Sequence, residues 1–189
     1  NVSLRGGQIG AANQVEITGD VSQDSTLTVY RDGNGGIDLD VLTDQFSDIN
    51  ITVADVGAQT IAIALPSDSI AMSTDGADLT ITTIDGQDTD PNLTITLPAG
   101  DILVGSIDTA GSVTLTATTG AINESGAGDA AVDIVGGVLT LTARDEIGGA
   151  AGDMDIETTV TSLDASSTTA GNIVIDETDA ITLTDVDTA

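Results

Sequence analysis

Short runs in which apolar and polar residues alternate recur along the chain: Val15-Glu16-Ile17, Leu27-Thr28-Val29, Ile37-Asp38-Leu39-Asp40-Val41, Ile49-Asn50-Ile51-Thr52-Val53 and Ile61-Ala62-Ile63. They continue through Leu79-Thr80-Ile81, Leu93-Thr94-Ile95-Thr96-Leu97, Val113-Thr114-Leu115, Leu139-Thr140-Leu141, Ile173-Val174-Ile175 and Ile181-Thr182-Leu183. A period of two places successive side chains on opposite faces, so each run predicts a strand with one buried face. Helical spacing is hard to find. The chain therefore reads as all-β.

Between the runs lie clusters such as Asp32-Gly33-Asn34-Gly35-Gly36, Asp75-Gly76, Asp85-Gly86 and Gly126-Ala127-Gly128, which tolerate the backbone angles of tight turns. The three prolines, Pro66, Pro91 and Pro98, stand at segment edges, where a missing ladder donor does least harm. No shift in composition marks a boundary, so residues 1–189 read as one segment of a longer repetitive chain or fibre. Internal repetition is clearest in the second half. Val113-Thr114-Leu115-Thr116-Ala117-Thr118, followed by Gly120-Ala121-Ile122, matches Leu139-Thr140-Leu141-Thr142-Ala143-Arg144, followed by Glu146-Ile147-Gly148, at an offset of 26 residues. A degenerate third copy is read at Val160-Thr161-Ser162-Leu163-Asp164-Ala165.

A repeat of this length holding two or three short strands is what one coil of a parallel β-solenoid needs, because each coil pairs its backbone with the coils on either side. Composition points the same way. The chain has one Tyr, one Phe and no Trp, so its core volume must come from Val, Ile, Leu and Ala, which suits thin, evenly spaced layers better than an aromatic-anchored sandwich. The expected fold is a right-handed parallel β-helix of roughly seven to nine short coils, a rod of about 35 to 45 Å at the ~4.8 Å strand spacing. No capping helix is evident at either end, and an uncovered coil exposes unpaired backbone groups. Further coils, or further copies of the chain, are the expected neighbours.

The run Gly111-Ser112-Val113-Thr114-Leu115-Thr116-Ala117, then Gly120-Ala121-Ile122, then Gly136-Gly137-Val138-Leu139-Thr140-Leu141-Thr142-Ala143, resembles the repeats of large bacterial surface proteins of the filamentous-haemagglutinin class. The stretches Thr168-Thr169-Ala170-Gly171-Asn172-Ile173-Val174-Ile175-Asp176-Glu177 and Ala180-Ile181-Thr182-Leu183 are similar to the same repeat type. The resemblance covers residues 105–189, and residues 1–104 share only its general texture. It implies an exported β-helical shaft at a bacterial cell surface, carrying adhesive regions or holding them away from the cell. Contact with a cell surface or polysaccharide would follow.

The formal net charge of −28, from 31 acidic residues against Arg5, Arg31, Arg144 and no lysine, argues against nucleic acid, whose phosphates need a basic patch. It also argues against an anionic membrane surface. No run of 18 apolar residues is present to insert into a membrane. Without His, Cys or Lys, the usual neutral-pH bases, thiol nucleophiles and Schiff-base amines are missing, which argues against an enzyme. Paired carboxylates could in principle cut glycosides, but the β-helical polygalacturonate hydrolases also need His and Lys signatures. Calcium is the one cofactor the residue types could hold. The pairs Asp38/Asp40, Asp88/Asp90, Asp153/Asp155 and Asp185/Asp187 set two carboxylates on one side of an extended segment, and the best local candidate is Asp85, Asp88 and Asp90 in one loop. The other reading of each pair is an acidic face in water.

Three functions are consistent with these features. The first is a structural shaft or adhesin segment of a secreted bacterial protein. The second is a self-assembling fibre subunit that stacks end to end. The third is a calcium-rigidified β-sandwich adhesin module, which the scarcity of aromatic residues disfavours.

Overall fold

The computed structural model describes residues 2–6, 15–17, 25–31, 37–41, 46–53, 59–64, 67–74, 79–85, 92–125, 131–149, 155–169 and 171–189, with side chains at 79–81, at 84 and through the described stretches from 92 onward. Seventeen strands fall within them: β1 (Val2–Gly6), β2 (Val15–Ile17), β3 (Ser25–Arg31), β4 (Ile37–Val41), β5 (Phe46–Val53), β6 (Gln59–Ala64), β7 (Ser67–Thr74), β8 (Leu79–Asp85), β9 (Asn92–Leu97), β10 (Ile102–Val104), β11 (Ile107–Asp108), β12 (Val113–Ala117), β13 (Ile122–Glu124), β14 (Ile134–Ala143), β15 (Ile156–Ser167), β16 (Ile175–Glu177) and β17 (Thr182–Thr188). No helix occurs among the described residues.

Every pairing between these strands is parallel, and each strand pairs with one roughly a coil away. This is a parallel β-solenoid. A sandwich closes its sheets with antiparallel neighbours, so the stacking sets the sandwich alternative aside. The strands form three stacks. In the first, β1, β3, β5, β7, β9 and β12 lead to the second halves of β14 and β15 and then to β17. The second runs through β2, β4, β6, the start of β8, β10 and β13, and continues as single bridges at Ile147 and Ile173. The third joins the end of β8, β11, the first halves of β14 and β15, and β16. From Leu79 onward, four steps through Ile102, Ile122 and Ile147 to Ile173 define about four turns.

The core follows from this register. Because equivalent residues lie directly over one another, a buried position in one coil faces its counterpart in the next. Leu93, Val113, Leu139 and Leu163 form one ladder, and Ile95, Leu115, Leu141 and Ala165 form a second. All eight are buried. In the second stack, Leu79, Ile102, Ile122 and Ile147 are wholly buried. Between the buried rungs of the first stack stand threonines, Thr94-Thr114-Thr140 and Thr96-Thr116-Thr142, in register on the outer face. β-branched side chains fit that pleated surface.

The 26-residue repeat is an actual contact: Val113 to Ala117 pair residue for residue with Leu139 to Ala143. The third copy is displaced. Leu139 pairs with Leu163 and Leu141 with Ala165, whereas Val160 pairs with Gly136, so the rung begins three residues later than the sequence match placed it. The reason is packing, since this register stacks leucine on leucine.

Turns demand close approach of neighbouring coils. Gly148 has φ of 70°, and a Cβ there would lie 2.1 Å from the Val174 carbonyl oxygen. Replacing Gly148 by Ala should therefore cost at least the roughly 1–3 kcal/mol of a non-glycine residue in this conformation. Leu141→Ala, which empties a wholly buried rung, should cost about 2–5 kcal/mol. Urea unfolding followed by far-UV circular dichroism measures both, and Leu183→Ala on exposed β17 should change little by comparison.

Candidate functional site: a buried carboxylate cluster

The aliphatic ladders are broken at one place. In the second stack Ile81 pairs with Val104 and Val104 with Glu124, so period-two alternation after Ile122 delivers a carboxylate to a rung that two earlier coils fill with wholly buried aliphatics. The third stack changes character one coil later, where Ile84, Ile107 and Ile134 are followed by Thr158, also wholly buried. Beside it, Asp133 precedes β14 and lies against Glu157 of the next coil. The Asp133 N–H donates to the Glu157 carbonyl at 2.9 Å, and the Glu157 N–H donates to Asp133 Oδ2 at 3.1 Å.

Glu124, Asp133 and Glu157 are thereby brought together inside the solenoid, with relative exposures of 4%, 3% and 9%. One carboxylate oxygen from each lies within 4.8 Å of the others. Glu157 Oε2 is buried and has no hydrogen-bond partner. Burial pushes the Asp133 carboxyl up from the ordinary 3.8 to about 8; the Glu157 N–H opposes the rise, and the neighbouring Glu157 and Glu124 carboxylates add to it. The next carboxylate along the stack is satisfied differently: Glu177 Oε2 accepts from the Thr158 hydroxyl at 2.7 Å, and its Oε1 accepts from the Val160 N–H at 3.3 Å.

Three negative charges at this depth are costly unless a proton or a cation joins them. The chemistry open to the cluster is consequently to bind one or the other. Its depth makes it a poor place to cleave a polymer, which must bring a bond between two reachable carboxylates. On the outside, Asp101, Asn123, Asp145 and Glu146 line an open acidic groove; Arg144 Nε lies 3.8 Å from Asp145 Oδ1, with both side chains about half exposed.

Of the residues singled out in the sequence, Asp88 and Asp90 lie outside the described residues, and Asp85 is described by its backbone alone, as the last residue of β8 in register with Ala64 and Asp108. Asp38 and Asp40 are likewise placed only by their backbone in β4, and Asp153 lies outside the described residues. Asp185 and Asp187 are exposed on β17, in register with Asp164 and Ser166. The sequence reading missed Glu124, Asp133 and Glu157. A signal existed in the glutamate two residues after Ile122, at an inward position, but it becomes visible only once Val104 is known to stack there. Comparison with protein-family models, curated proteins and solved structures finds no match to the chain.

The raised Asp133 pKa fixes a sign for the pH dependence. The folded state holds this proton more tightly than the unfolded chain, so the stabilisation is complete below 3.8 and is lost as pH rises toward about 8. Between pH of about 5.5 and 8, where ordinary carboxylates are already ionised, chelator-treated protein should lose stability with rising pH. Asp133→Asn should flatten that slope in urea titrations across the same range.

Proposed function

We propose that this chain is a structural shaft or adhesin segment of a large secreted bacterial cell-surface protein, without catalysis of its own. The observation that carries the reading is the unbroken parallel stacking of coil on coil. A solenoid whose units contact only their neighbours gains length with each coil and needs no closed globular core. The residue types favour the same role, since 31 acidic residues against three arginines leave a surface suited to solvation and none of the usual neutral-pH bases.

The finer reading is a right-handed β-helix of seven to nine coils over residues 1–189, with repeats of the filamentous-haemagglutinin type. Support for the coil number comes from the first stack, whose pairings run Val2, Leu27, Ile49, Ile70, Leu93, Val113, Leu139, Leu163 and Leu183. Its partners would be further coils or copies of itself, together with a cell surface or polysaccharide. Leu183 and Val186 continue the Leu163 and Ala165 ladders yet are 62% and 45% exposed, which offers a seat for another coil. That feature also favours the second reading, a fibre subunit stacking end to end.

Small-angle X-ray scattering of the purified chain is the test. A shaft segment should give an untapered rod of about 35 to 45 Å, one coil wide, from roughly seven to nine coils at the strand spacing. A globular or two-lobed envelope would overturn the reading. Growth of the rod with concentration, abolished by Leu183→Asp, would select the fibre subunit over the isolated shaft.

A further inference from the structure

We propose that Glu124, Asp133 and Glu157 form an interior calcium site that ties two successive coils of the solenoid together. Acidic side chains are abundant in this protein, so proximity alone would mean little. What distinguishes this cluster is that Glu157, only 9% exposed, holds a buried carboxylate oxygen, Oε2, with no hydrogen-bond partner, in a carboxylate of which one oxygen lies within 4.8 Å of an oxygen from each of Asp133 and Glu124. A cation would occupy the place a donor does not.

The ligands come from different turns. Glu124 ends β13 and Asp133 precedes β14, while Glu157 stands in β15 opposite Asp133. An ion held among them links coils that otherwise meet through backbone hydrogen bonds and aliphatic contact. The chain has no lysine, and among the residues with described side chains the one arginine, Arg144, is exposed beside Asp145.

The donor set selects a hard cation. Calcium takes carboxylate oxygens at about 2.3–2.6 Å in flexible geometry, so an ion among three oxygens that lie within 4.8 Å of one another reaches all three with at most a small inward shift of the side chains. Magnesium needs about 2.0–2.1 Å and a near-regular octahedron, and it fits a wide, irregular set less well. The site goes beyond the shaft reading and does not rest on it, because the scattering expected of a rod is the same with or without the ion.

Isothermal titration calorimetry with calcium chloride, at about 0.15 M sodium chloride to screen exposed charge, tests the site alongside thermal unfolding in calcium and in chelator. The expected result is one saturable site, a midpoint several degrees higher in calcium, and a weaker response to magnesium. Glu157→Gln should weaken calcium binding at least tenfold, while its chelator midpoint equals or exceeds that of the unmodified protein because a buried charge has gone. Glu124→Gln serves as the second variant should Glu157→Gln fail to fold, and Asp185→Asn on exposed β17 should leave binding unchanged. Absence of a saturable site would overturn the proposal. So would calcium binding that survives both glutamine variants, which would place the ion on surface carboxylates. Equal stabilisation by the variants in calcium and in chelator would overturn it as well, leaving the cluster held by a proton alone.

Discussion

The structure depends on the parallel backbone ladder between coils. Each coil donates and accepts along its length with the coils beside it, and this pairing fixes which side chain lies over which. A buried residue is therefore packed mainly against its own counterpart one coil away. Leu139 over Leu163 and Leu115 over Leu141 follow from that constraint, as does a core made of aliphatic residues. Large rings would have to be matched in coil after coil to keep the spacing even, and the chain carries only two aromatic residues in all.

The same ladder makes a polar substitution conspicuous. When Glu124 takes the rung of Val104, its carboxylate cannot escape to solvent without breaking the register on which Ile122 also depends. Asp133 and Glu157 then converge on it from the adjoining stack, and the cost of burying one charge becomes the cost of burying several. That cost is tolerable only where something positive is shared, whether a proton or a divalent ion. The cluster is thus a point at which the solenoid's stability becomes responsive to its surroundings. The first-stack ladders from Leu93 to Leu163 and from Ile95 to Ala165, filled by Leu, Ile, Val and Ala, have no such dependence.

The outer surface answers to a looser rule. Threonines between the buried rungs stack in register, and the remaining acidic groups of the outer face, such as Asp185 and Asp187, stand in water where salt screens them. A net charge of −28 repels itself, and salt or bound cations must screen it. Among the described residues the interior is aliphatic except for the carboxylate cluster and a few buried polar groups such as Thr109, Asn123 and Ser167.

The sequence by itself determined the strand character and the parallel solenoid, because period-two alternation and a repeat near the length of one coil are local properties of the chain. Val113 to Ala117 align on Leu139 to Ala143 by sequence alone, and the two segments do pair. The next rung could not be aligned in this way. Nothing local distinguishes Val160 from Leu163 as its start, and only stacking on Leu139 decides it. The carboxylate cluster was beyond reach for the same reason. Asp85, Asp88 and Asp90 attracted notice because they are neighbours in sequence, whereas Asp133 and Glu157 stand 24 residues apart and meet through the ladder. Alternation tells which residues point inward; the register between coils decides which of them share a space, and that register is set by tertiary packing.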